Sequence, residues 1–277
     1  MPLPREPRAV VTGAGSGLGR AFCIELARQG GRILAADIDL ARAEETVRLV
    51  EGVGGKAVAR RCDVAIAEEV AALVTAVDEA YGGVDLVINN AGVAVGGPVG
   101  VVPLDEWRWI LGVNLWGVIH GCHSFVPIFR AHGSGHIINV ASAAGLLSAP
   151  EMAPYNVTKS GVVALSETLS AELTGTGVVV TVLCPTFFRT NIARASHTYT
   201  DRASSEDVER VMDRSKIQAP DVARYALDAA ARGDLYALPH ADGRWMWRVK
   251  RLAPEAFQTR LVPWGAKRVA AQSKRRG

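Results

Sequence analysis

Short apolar runs rich in β-branched residues alternate along this chain with stretches whose apolar residues recur at helical spacing. This alternation restricts the fold more than any other feature. The runs fall at residues 8–12, 32–36, 56–60, 84–89, 136–140, 178–183 and 235–238, and helical patterns fill 18–29, 40–50, 67–81, 104–130, 155–173 and 221–232. Strands joined through helices pair in parallel, because a parallel neighbour needs a crossover too long for a hairpin. The order predicts an α/β fold: a Rossmann-type, doubly wound parallel sheet of about seven strands, with helices on both faces and ligands at the strands' carboxyl ends. A length of 277 residues with 49% hydrophobic content supplies the core for one such domain. Residues 186–219 break the alternation; they are polar and weakly periodic, and they read as a mobile lid over a substrate.

The first strand runs into Thr12-Gly13-Ala14-Gly15-Ser16-Gly17-Leu18-Gly19, and a helix follows. Gly13, Gly17 and Gly19 let the backbone turn tightly and approach a pyrophosphate, which rests on the amides that open the helix. Ser16 and Leu18 belong to the same turn. The spacing is T-G-x-x-x-G-x-G and not the G-x-G-x-x-G of many dinucleotide sites. Asp37 ends the second strand. A carboxylate there accepts from both adenosine ribose hydroxyls and repels a 2′-phosphate, and neither Ser16 nor Ile38 offers a cation to hold one. NAD is expected ahead of NADP.

Residues 136–173 carry the chemistry. An apolar strand ending near Ser142 precedes a helix in which Tyr155 and Lys159 stand four apart, on one face and separated by a rise of about 6 Å. A free phenol titrates near pH 10 and is a poor base at neutral pH. An ammonium about 4 Å away favours the phenolate by up to roughly 4 kcal/mol at an effective dielectric near 20, which brings the phenol into the range of a general acid–base. Ser142 is placed to hold the substrate oxygen as its charge develops.

With Cys62-Asp63-Val64, Asn89-Asn90-Ala91-Gly92 and Val113-Asn114-Leu115-Trp116-Gly117, these segments resemble the short-chain dehydrogenase/reductase family, in its single-domain branch, over about residues 8 to 240. The resemblance implies an oxidoreductase that interconverts a secondary alcohol and a ketone, with Asn114, Ser142, Tyr155 and Lys159 as catalytic residues. It implies that Asn114 holds a relay water to Lys159 and that Lys159 also bonds the nicotinamide ribose. Asp63 and Val64 would flank the adenine, Asn90, Ala91 and Gly92 would line the cofactor, and Pro185 and Thr190 would lie by the nicotinamide.

The sequence departs from the family after the sixth strand, where Pro-Gly becomes Pro185-Thr186, followed by Phe187 and Phe188. The substitution is expected to narrow that pocket or make it more apolar. The resemblance places Val93, Ala94, Ala144, Leu146, Leu147, Met152, Phe187, Phe188 and Ile192 around the substrate, a lining suited to a bulky apolar alcohol or ketone. Arg189 and Arg194 keep an acidic substrate open. The resemblance also implies a homodimer or homotetramer, joined through the Tyr155 helix and the helix spanning residues 105–130, whose Trp107, Trp109, Trp116 and Phe125 lie beside Gly112, Gly117 and Gly121.

Ten of the 31 Lys and Arg residues, but only Glu255 of the 28 acids, fall in residues 244–277, so residues 1–243 carry a balance of −6. A mildly acidic body with a basic end does not fit a nucleic-acid binder. The chain is read as a catalytic dinucleotide-binding domain, residues 1–243, followed by a basic extension, residues 244–277, containing Trp245, Trp247 and Trp264. Aromatics interleaved with cations admit weak contact with an anionic membrane surface. One alternative is therefore a membrane-peripheral enzyme acting on lipids or steroids; another is a non-catalytic dinucleotide-binding scaffold. There is no apolar run of about 18 residues, no signal-peptide core and no metal-ligand spacing among the histidines, and Cys23, Cys62, Cys122 and Cys184 are scattered. A cytoplasmic protein with reduced thiols and no metal is expected.

Overall fold

Along β1 (Arg8–Thr12), Ala9 and Val11 join the core on one side of the sheet and Val10 joins it on the other, all three without solvent exposure. The same period of two runs through β2 (Arg32–Asp37), where Ile33 and Ala35 face one way and Leu34 and Ala36 the other. Strands apolar on both faces must be covered on both faces, as parallel sheets are. The computed structural model describes residues 2–190, 192, 196–199, 212–213 and 215–263.

After β1 come α1 (Gly17–Arg28), β2, α2 (Leu40–Gly52), β3 (Lys56–Arg61), α3 (Ala67–Tyr81) and β4 (Leu86–Asn89). The middle of the chain forms β5 (Ala94–Gly96), α4 (Leu104–Leu111), α5 (Gly117–His132), β6 (Gly135–Val140), α6 (Ala143–Leu147) and α7 (Ala153–Glu172). The remainder forms β7 (Val178–Leu183), β8 (Ser196–Thr198), α8 (Ala219–Arg232), β9 (Tyr236–Ala237) and α9 (Ala241–Leu252). Seven strands make one parallel sheet in the order β3-β2-β1-β4-β6-β7-β9. Helices α1 and α8 cover one face; α3, α5 and α7 cover the other. The chain winds outward from β1 in one direction and returns through β4 in the other, so the loops after β1 and β4 part and leave a crevice at their carboxyl ends.

Four features differ from the sequence expectation. The helix expected over 104–130 is interrupted by a π-helical segment, Gly112–Trp116, between α4 and α5. The loop expected after the strand at 136–140 contains α6. Part of the expected lid pairs in parallel with β5 through β8; residues 191, 193–195, 200–211 and 214 of it, Arg194 among them, lie outside the described residues. The division expected at residue 243 falls inside α9, whose Gly243 is buried and whose Trp247 packs on Tyr236 with ring centres 4.9 Å apart. Trp264 and the basic end beyond it lie outside the described residues.

The glycines expected to let α5 meet another helix instead admit parts of the same chain. A Cβ on Gly121 would lie 2.0 Å from Asn89 Oδ1, and one on Gly117 would lie 2.8 Å from a Val64 methyl. Phe125 is fully buried in the core. All four cysteines are free and buried, and burial pushes each thiol up to about 12.

Candidate active site

The turn after β1 is built by contacts that only small residues permit. Gly13 has φ +64, and a Cβ there would lie 2.7 Å from Ala91 Cα; a Cβ on Gly19 would lie 2.1 Å from the Gly13 carbonyl oxygen. Asn90 Nδ2 donates to the Thr12 and Gly13 carbonyls at 2.8 and 3.2 Å, while the Asn90 and Ala91 amides donate to Thr12 Oγ1 at 3.0 and 3.2 Å. The two loops at the crevice are thus bonded to each other. Ser16 caps α1 without a side-chain bond to its first turn, which holds no acidic residue, so the positive end of the helix is uncompensated. Asp37 Oδ2 accepts the Gly15 amide at 2.8 Å and Oδ1 accepts that of Asp39 at 3.0 Å. Ile38 beside it is exposed.

The next pair of expected residues closes the same end of the sheet. Asp63 Oδ1 accepts the Ala65 amide at 2.9 Å, and the Val64 carbonyl lies 2.9 Å from His120 Nδ1. An uncompensated helix N-terminus, a tight glycine turn and a carboxylate at the end of β2 form a donor and acceptor set that suits a dinucleotide: amides for the pyrophosphate and Asp37 for a ribose.

Around the expected catalytic residues, α6 and α7 meet the ends of β6 and β7. Ser142 Oγ accepts the Ala144 amide at 3.1 Å and caps α6. Tyr155 and Lys159 share one face of α7, with Lys159 Nζ 5.7 Å from the phenol ring centre. Lys159 is buried and donates to the Val140 carbonyl at 2.8 Å. Asn114 is fully buried in the π segment; its amide clamps Val93, accepting from the backbone N–H and donating to the carbonyl, each at 2.8 Å. Pro185 accepts the Ala143 amide at 2.9 Å, which joins the end of β7 to α6. Thr190 Oγ1 accepts the Ile192 amide at 3.3 Å, on the same segment.

Charge is divided differently from the sequence expectation. Burial pushes the Tyr155 phenol up to about 12, against a hydrogen bond from Ser142. Burial brings Lys159 down to about 8, against the Cys184 sulfur beside it. Both groups resist ionisation here, and the amine is the one that yields. Periodicity reveals the shared face, but it contains no information about desolvation. The expected pocket wall changes too. Phe188 is buried in the core against His240, while Phe187 stays exposed, so only one of the two phenylalanines is free to meet a ligand.

Gly145 is a site residue that the sequence analysis passes over. A Cβ on it would lie 2.5 Å from the Lys159 carbonyl carbon and oxygen, and its own carbonyl accepts from Ser160 Oγ at 2.8 Å. A glycine three residues after Ser142 is the only sequence signal of this contact. Among the described residues, no group of three or more His, Cys, Asp and Glu is arranged to hold a metal, and no helix is long and apolar enough to cross a membrane.

The family model for short chain dehydrogenases matches residues 7–201. A Mycobacterium tuberculosis protein named as an oxidoreductase, SadH, is 32% identical over 261 residues, covering 93% of this chain and 94% of its own. The 2-(R)-hydroxypropyl-CoM dehydrogenase of Xanthobacter autotrophicus is 32% identical over 186 residues, 66% of this chain and 74% of its own. Among solved structures, a short chain dehydrogenase/reductase from Burkholderia phymatum in complex with NAD superposes with a TM-score of 0.84 at 37% identity, covering 89% of this chain and 93% of that one.

Proposed function

Since the chain belongs to the short-chain dehydrogenase/reductase family and is an oxidoreductase of it, we propose that it interconverts a secondary alcohol and a ketone on a bulky apolar molecule, with NAD preferred. The observation that carries this reading is the convergence of Ser142, Tyr155 and Lys159 at the carboxyl ends of β6 and β7, beside a glycine turn facing Asp37. When bound, the dinucleotide supplies the hydride acceptor or donor. Gly13, Ser16, Gly17, Leu18 and Gly19 hold its pyrophosphate, and Asp37 with Ile38 receives the adenosine ribose. Asp63 and Val64 flank the adenine. Asn90, Ala91 and Gly92 line the middle of the crevice, and Pro185 and Thr190 border its inner end.

The chain's own groups do the proton work. Ser142 holds the substrate oxygen. Tyr155 exchanges the proton of that oxygen, and Lys159 takes up or returns a proton behind it. Asn114 fixes Val93 at the wall and keeps the π segment open toward Lys159, a place for a relay water. Positioning and hydrogen bonding supply the rate. Ala94, Ala144, Leu146, Leu147 and Met152 are partly buried beside the site, and together with Val93 they support an apolar substrate.

Exposed Trp245 and Leu252, at 57% and 87%, lie seven residues apart on α9 with exposed Arg248 between them. They favour a second reading, weak attachment of the same enzyme to an anionic membrane. The test of the main reading is a panel of alcohols and ketones followed by reduced-nicotinamide absorbance with each cofactor. NAD should lead NADP by at least about tenfold in kcat/KM, because a 2′-phosphate against a carboxylate costs more than roughly 1.4 kcal/mol. Turnover confined to small polar sugar alcohols, or equal use of the two cofactors, would overturn the corresponding part.

A further inference from the structure

Helix α9 stands outside the strand–helix alternation, yet it bonds to both segments that leave the sheet beside Ser142. At its start, His240 Nδ1 accepts the Thr186 amide at 3.2 Å, and the Thr186 hydroxyl lies 3.4 Å from Asp242 Oδ1. Gly243 makes the room: a Cβ there would sit 2.7 Å from Thr186 Cγ2. The family's glycine has become a threonine at 186, and a glycine in α9 takes up the added volume. Further along, Lys250 Nζ donates to the Leu146 carbonyl at 2.7 Å and to Ser148 Oγ at 3.4 Å.

Those two oxygens belong to the far end of α6, the short helix that Ser142 caps. Ser148 ends it in the left-handed region, with φ +57. A helix of five residues does not hold itself in water, so bonds from outside fix where it stands. A cation on its last carbonyls meets acceptors that the helix leaves open and opposes the negative end of its dipole. Burial lowers the proton affinity of Lys250, and two oxygens at the end of α6 accept from its ammonium. The helix carrying Lys250 is docked independently, through Trp247 on Tyr236 of β9, with ring centres 4.9 Å apart.

We propose that Lys250 is a positioning and specificity-determining residue: by fixing the end of α6 it holds Leu146 and Leu147 as one wall of the substrate pocket, so α9 is part of the active site. The pocket assignment is the one proposed above, and the experiment separates the two claims. Lys250→Met is compared with wild type by hydrogen exchange of the peptide containing residues 143–149, and by KM for a bulky and a small apolar ketone. Exchange in that peptide should rise about tenfold while the peptide holding β1 and the glycine turn stays as protected as before. KM for the bulky ketone should rise about tenfold with kcat and NAD affinity within about twofold, and the small ketone should be little affected. Lys250→Arg should restore most of both.

Unchanged exchange at 143–149 overturns the proposal, as do equal KM changes for the two ketones. If Lys250→Met fails to fold, Lys250→Gln, too short to reach both oxygens, is judged by the same two readouts. If the wild-type protein turns over no alcohol or ketone, the enzymatic reading fails, and the exchange result alone decides whether Lys250 positions α6.

Discussion

Lys159 Nζ stands 5.7 Å from the centre of the Tyr155 ring, and where two such groups interact the proton lost first belongs to the pair rather than to either residue. With the phenol pushed up to about 12 and the amine down to about 8, that first loss comes near pH 8, well below the ordinary range of a tyrosine or a lysine. Alcohol oxidation needs the pair deprotonated, so its kcat/KM should rise with pH and level off above about 8; ketone reduction needs the proton and should fall over the same range. Profiles for wild type and Lys159→Met check this, and the variant should lose the inflection. A flat oxidation profile between about pH 6 and 10 would contradict it. At this scale the sequence is informative about identity and spacing. A four-residue interval puts Tyr155 and Lys159 on one face, and Asp37 falls where a strand must end. It is silent about burial, which depends on Val140 and Cys184 arriving from strands that are distant in the chain, so the division of charge was not legible.

Among the elements, α6 and α7 meet backbone to backbone at the site, with Gly145 directly against the Lys159 backbone. Gly145→Ala places a methyl 2.5 Å from backbone atoms that cannot swing aside, so one helix must move. Overpacking of this kind costs about 1–3 kcal/mol, read as a fall in the thermal midpoint. The shift of Lys159 should also lower kcat/KM by at least about tenfold. Wild-type turnover and stability in Gly145→Ala would show that the helices are free to separate. The long strands and helices were legible because their periods of two and 3.6 persist over many residues. The π segment was not, since Gly112–Trp116 keeps a helical pattern and its extra residue appears only in how Asn114 reaches Val93. Three-residue strands such as β5 and β8 carry too few residues for any period, and their pairing depends on the fold around them.

Over the whole molecule, one parallel sheet brings residues as distant as Asp37, Asn90 and Ser142 to a single edge. That convergence follows from strand order, which alternation alone leaves open and which the switch between β1 and β4 resolves. Exposed Trp116, Val157 and Leu104, at 53%, 49% and 68%, mark α4, the π segment and α7 as a surface suited to a second copy. We expect a homodimer or homotetramer in sedimentation at micromolar concentration, and a monomer there would contradict it. The central claim is that this edge performs proton exchange at a substrate oxygen, and Tyr155→Phe tests it most directly when turnover and NAD affinity are measured on the same preparation. The account predicts that turnover falls by about 10²–10⁴-fold while NAD binds as it does to the wild type. A variant that keeps wild-type turnover would contradict it.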